Sequence, residues 1–155
     1  MKGNESVIEH LNVRLAEELT AINQYFVHAE MCENWGFERL HAMIRKRSID
    51  EMKHAEKLIA RILFLEGKPN VSNLNKIHIG AEVGKMHLND QQAEEAAIKG
   101  YNESIRHCVE VGDNGTRELL DSILREEEGH IDLIESQLDQ IKLMGVQNYL
   151  VEQID

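Results

Sequence analysis

The sequence predicts an all-α protein. Four long amphipathic helices form a bundle, with a long crossover between the second and third and a short fifth helix at the C-terminus. Three observations predict it. Apolar residues recur at three- and four-residue spacing through four long stretches. Pro69 is the single proline in 155 residues, so little interrupts a helix. Turn residues gather at a few places only: "NWG", "EGKPN", "GDNGT" and Gly145.

The first helical pattern covers Ser6 to Glu33 and stops at "NWG", where Gly36 can cap it. The second covers Glu38 to Leu65 and ends at "EGKPN". The connection "GKPNVSNLNKIHIG" is rich in Asn and Gly and has no helical period. The third helix covers Glu82 to Val111. "GDNGT" reads as a turn with Thr116 as N-cap of the fourth helix, Thr116 to Leu143. Gly145 breaks that helix, and "VQNYLVEQI" reads as the short fifth. Two long hairpins joined by one long crossover are a four-helix bundle of the ferritin-like type, and residues 1–155 read as one domain.

The formal net charge is -11, and no basic stretch rivals it, which argues against nucleic acid as a partner. No apolar run approaches the ~18 residues of a membrane span. The N-terminus "MKGNESVIEHLNVRL" carries no apolar signal core, so a cytoplasmic protein is expected. Cys32 and Cys108 form no CxxC pair and read as reduced core or interface residues.

The chemistry lies in carboxylates on core faces. On the helical wheel Ile44, Ala55, Leu58, Ile62 and Leu65 form one apolar stripe, and Glu51 sits in its middle. Glu18 interrupts the stripe of Leu11, Leu15, Ile22 and Tyr25. Glu94 interrupts that of Ile98, Tyr101, Ile105 and Cys108, and Glu127 that of Leu120, Ile123, Leu124, Ile131 and Ile134. Burying an unpaired carboxylate costs several kcal/mol, so four of them are either protonated or gathered around cations.

Two of the four have a histidine three residues on, on the same helix face: Glu51 with His54, and Glu127 with His130. An ExxH alone is weak evidence, because about one arises here by chance from composition. Glu38 with His41 reads as that chance match. The spacing is more telling. Glu18 precedes Glu51, and Glu94 precedes Glu127, by the same 33 residues, and Tyr25 and Tyr101 each follow their glutamate by seven. A Glu from each of two helices plus ExxH from each of the other two is the di-iron or di-manganese carboxylate constellation. Oxygen and imidazole donors suit Fe2+ or Mn2+. Glu51 and Glu127 are expected to bridge two metals, with Glu18, His54, Glu94 and His130 as terminal ligands. Tyr25 and Tyr101 either hydrogen-bond to ligands or pack in the core.

Met52 lies ~100° round the helix from Glu51. Ile49 and Ile59 fall on the same side, and Leu19 with Asn23 offers a matching side on the first helix. A second apolar face implies another subunit. It is either a plain dimer interface or one that holds haem through the methionine thioether.

The stretches "MKG", "AINQYF", "NWG", "SIDEMKHAEKLIARILFLEG", "EEGHID" and "MGVQNYL" resemble bacterioferritins, in register along nearly the whole chain. The resemblance implies a hollow 24-subunit cage built from dimers, a di-iron ferroxidase centre (Fe2+/Fe3+) in each subunit and a ferric mineral inside. It implies Glu18, Glu51, His54, Glu94, Glu127 and His130 as the metal ligands. It also implies haem b held across each dimer two-fold by two copies of Met52, with a ferredoxin-type electron donor as a partner. Bacterioferritins often have a tyrosine, a histidine and a glutamate just before "SIDEMKHA"; this chain has Arg45, Lys46 and Arg47. Arg47, one turn before Glu51, is expected at the metal entrance or solvated on the cavity wall. The function expected is iron storage with oxidation of Fe2+ by O2 or H2O2. The alternative is a soluble di-iron or di-manganese peroxidase or catalase that stores nothing.

Overall fold

A computed structural model describes all 155 residues. It holds five helices and no strand: α1 (Glu5–Asn34), α2 (Glu38–Phe64), α3 (Val83–Val111), α4 (Asn114–Met144) and α5 (Val146–Val151). α1 starts one residue earlier than expected because Asn4 caps it, its side-chain oxygen accepting from the Ser6 N–H at 2.8 Å. α4 starts at Asn114 and not at Thr116. Its cap is Asp113, whose carboxylate accepts from both the N–H and the hydroxyl of Thr116. The two hairpin turns are closed by Gly36 (φ +82°) and Gly112 (φ +76°), a left-handed geometry that costs a side-chain-bearing residue more.

The hydrogen bonds between helices give their directions. Gly3 N–H donates to Leu65 O, and Ser48 Oγ to Ile22 O, so α1 and α2 are antiparallel. Ser6 meets His107, Glu18 meets Tyr101, and Tyr25 meets Glu94, so α3 also runs against α1. α2 and α3 are therefore parallel, and the chain between them must travel the length of the bundle. This is the four-helix bundle with a long crossover, plus a short C-terminal helix.

α1 pins that crossover with one polar side chain after another. Asn12 Oδ1 accepts from the Asn70 N–H, Thr20 Oγ1 from Asn75, Gln24 Oε1 from His78 and His28 Nε2 from Gly80, at 2.8–3.1 Å. Positions 20, 24 and 28 lie one turn apart on one helix face and 12 lies two turns before 20, so α1 satisfies backbone donors that a strand would otherwise pair.

The apolar core is in two parts. One cluster gathers Leu11, Leu15, Leu58, Ile62, Tyr101 and Leu120; the other gathers Tyr25, Leu40, Ile44, Met86 and Tyr149. Each fully buried aliphatic side chain contributes about 1.5–3 kcal/mol. Cys108 lies in the first cluster and Cys32 in the second, both as free thiols, and burial pushes each up to about 11. No helix is long and apolar enough to cross a membrane.

Candidate metal centre

Between the two apolar clusters, the six side chains singled out by pattern converge. They form two groups of donors, Glu18, Glu51, His54 and Glu127 in one, and Glu51, Glu94, Glu127 and His130 in the other. Within each group the donor atoms lie within 4.8 Å of one another. Glu51 and Glu127 belong to both groups, in the position of bridges. His54 Nδ1 lies 3.5 Å from Glu18, 3.3 Å from Glu51 and 3.2 Å from Glu127. His130 Nδ1 lies 3.1 Å from Glu51, 3.3 Å from Glu94 and 3.2 Å from Glu127.

The centre is buried and underpaired. Atoms of all six residues are shielded from solvent without a hydrogen-bond partner: Glu18 Oε2, Glu51 Oε1, His54 Nδ1, Glu94 Oε2, both oxygens of Glu127 and His130 Nδ1. Such atoms are rare in folded proteins, and their convergence fits a pair of hard divalent cations. Burial pushes the Glu18, Glu51 and Glu94 carboxyls up, and the neighbouring Glu127 charge adds to it; Glu94 reaches about 7. Glu127 goes the other way: burial opposes its ionisation, but contacts with His130 and His54 outweigh that. Burial likewise opposes charge on both histidines. Contact with Glu127 outweighs it and raises His54 far above its usual value and His130 to about 12. The metal-free centre thus holds protons that two dications displace on binding.

The outer nitrogens of the histidines show a reciprocity that was not read from the sequence. His54 Nε2, on α2, meets Glu126 of α4, and His130 Nε2, on α4, meets Asp50 of α2 at 3.2 Å. A carboxylate on Nε2 keeps the proton on that nitrogen, so Nδ1 turns a lone pair to the centre once a cation displaces its own proton. The signal was present: an acidic residue directly precedes Glu51 and Glu127 alike. Lys46 in turn lies 3.1 Å from Asp50. Although burial pushes the Asp50 carboxyl up, contacts with Lys46 and His130 hold it below its usual range.

Tyr25 and Tyr101 are both fully buried and hydrogen-bond across hairpins. Tyr25 Oη donates to Glu94 at 2.7 Å and Tyr101 Oη to Glu18 at 2.5 Å. Arg47 corrects its expectation. It lines no entrance and is not solvated; it is 2% exposed. Its Nη1 lies 3.0 Å from Asp90 Oδ2, and its guanidinium stacks on the Tyr25 ring at 4.9 Å. Asp90 also accepts from Gln24 at 2.8 Å and meets His28 Nδ1 at 2.9 Å. An Asp four residues before Glu94 supplies the counter-ion that draws the arginine inward. Met52 is 41% exposed, on the outer side of α2, turned away from the centre. His41 lies apart from the six, its Nδ1 3.0 Å from Ala29 O, so Glu38 and His41 share nothing with the centre.

The ferritin-like domain family matches residues 8–144. Bacterioferritin of Rhodobacter capsulatus is 43% identical over 149 residues, covering 96% of this chain and 92% of that protein. Bacterioferritin of Brucella melitensis shows the same identity and coverage. Bacterioferritin of Streptomyces coelicolor is 41% identical over 150 residues, with 97% and 90% covered.

Proposed function

The chain belongs to the bacterioferritin family, and from that membership and the geometry of the paired centre we propose that it stores iron and oxidises Fe2+. The observation that carries the reading is the sharing of Glu51 and Glu127 between two donor groups whose inward atoms have no other partner. Glu18 with His54 holds one Fe2+, Glu94 with His130 the other, and Glu51 with Glu127 spans both. Two Fe2+ give up two electrons together. That number reduces O2 to H2O2, or H2O2 to two waters, with protons supplied in part by those the ions displace. The buried carboxylates offset the charge that builds up as Fe3+ forms. Tyr25, Tyr101, Glu126 and Asp50 hold the ligands in orientation.

The ferric product is stored in a 24-subunit cage in the cytoplasm. An exposed thioether fits haem b at a two-fold contact between protomers. The Ser48–Ile22 hydrogen bond sets the register in which Met52, one turn on, comes level with Leu19, which is half-buried. Met52 from each of two protomers would hold the haem, and the group would supply electron transfer when bound, served by a ferredoxin-type donor. Aerobic addition of Fe2+ to purified protein, followed by size separation and iron analysis, tests the function. Storage gives rapid oxidation and many iron atoms per chain in a particle of several hundred kilodaltons. A small particle that consumes peroxide and retains only two metals per chain identifies a di-metal peroxidase or catalase instead.

A further inference from the structure

A cavity of about 240 Å³ opens between α1, α3 and the crossover and leads to the paired centre. Ligand carboxylates such as Glu18 and Glu127 form its inner end, and exposed side chains such as Lys76 and Gln92 its rim. Glu17 stands in its wall, one residue before Glu18 and outside both donor groups. One Glu17 oxygen takes the Arg14 guanidinium at 3.0 Å; the other, Oε2, is shielded from solvent with no partner.

Arg14 is itself 6% exposed, and its Nε and Nη1 have no partner, so the guanidinium serves Glu17 alone. Its seat exists because position 100 is glycine. A Cβ on Gly100 would stand 1.9 Å from Arg14 Nη1, inside any real contact distance. Burying an arginine for one carboxylate is costly, and the fold makes room for it. The result is a carboxyl group fixed in direction with one oxygen free, pushed up to about 8 by burial although Arg14 opposes it. Such a group offers one oxygen to a hard divalent cation without holding it strongly.

We propose that Glu17 is a transfer ligand: it takes a divalent cation entering this cavity and passes it to the paired centre. Arg14, seated against Gly100, is the positioning residue. The inference rests on the paired-metal reading above, and Co2+ separates the two because it binds without being oxidised by air. Metal-free assembled protein is mixed with Co2+ in a stopped-flow instrument, and the visible absorption of the bound ion is followed. Wild type is expected to take two Co2+ per chain; if it takes none, the paired-metal reading falls and the inference with it. Glu17→Gln is expected to reach the same two Co2+ about tenfold more slowly, because an amide oxygen is a weaker ligand for a divalent ion than a carboxylate. Glu17→Asp restores most of the rate. If Glu17→Gln lowers the melting temperature by orphaning Arg14, Arg14→Met with Glu17→Gln removes both charges and must still fill slowly. Wild-type filling rates in the folded variant, with two Co2+ bound in both proteins, overturn the inference. Slow filling that ends at fewer than two Co2+ also overturns it, since the residue then belongs to the site's equilibrium and not to transfer.

Discussion

Tyr25, on α1, donates a 2.7 Å hydrogen bond to Glu94, on α3, so a donor of the second hairpin is held by a tyrosine of the first. A hydrogen bond to a charged group contributes about 1.5–3 kcal/mol. Tyr25→Phe is expected to lower the melting temperature of the metal-free protein. The loss should be smaller with metal bound, because the ions then fix the carboxylate. Thermal melts with and without Co2+ check this; unchanged metal-free melting would contradict it.

Glu51 and Glu127 each serve both donor groups. Glu51→Ala or Glu127→Ala is therefore expected to abolish rapid Fe2+ oxidation, not to halve it. The helices should persist, because removing one of several crowded carboxylates relieves repulsion when no metal is present. Stopped-flow oxidation and circular dichroism on the same preparations decide it. Rapid oxidation surviving in Glu127→Ala would remove it from the proposed ferroxidase centre.

Asp90 is the buried counter-ion of Arg47. Burial pushes its carboxyl up, but contacts with His28 and Arg47 outweigh that and hold it below the usual range. The native carboxyl is thus easier to ionise than the unfolded one. Its stabilisation is complete above the usual aspartate value of about 4 and fades as pH falls from there through the lower native value. Asp90→Asn should cost about 3–5 kcal/mol at neutral pH by leaving Arg47 unpaired. Its further loss in acid should be shallower than in wild type. Arg47→Met added to Asp90→Asn should recover much of the loss. Acid titrations of melting temperature for the three proteins supply the comparison.

Met52 is exposed on the outside of α2, away from the six buried donors. Met52→Leu is expected to lose haem while cage size and oxidation rate remain. The visible spectrum of the purified variant gives the answer, and full haem content would direct attention to the partly buried Met31.

The helices, the crossover and the six inward donors were legible because each leaves a periodic trace. A glutamate on an apolar stripe is conspicuous, and a repeated interval of 33 residues makes it more so. What the sequence hid was what each polar residue faces across the bundle. Arg47 lies next to Ser48 and near Glu51 in sequence, yet its place is set by Asp90 on a different helix. Thr20, Gln24 and His28 look like an ordinary polar edge of α1. Their partners are backbone groups more than fifty residues on, which no helical wheel displays. Arg14 could not be foreseen as buried, since its room comes from an atom that Gly100 lacks.

The way α1 pins the crossover bears on what the covalent chain does there. Val71 to Leu74 are exposed, and the pinned positions lie on both sides of them: Asn70 on one, Asn75, His78 and Gly80 on the other. A peptide bond severed within Val71–Leu74 leaves both new ends fastened to the same helix. Each fragment also keeps a complete antiparallel hairpin, α1 with α2 or α3 with α4. Continuity through this stretch therefore raises the effective concentration of one hairpin at the other, while the contacts that hold the two together do not depend on it.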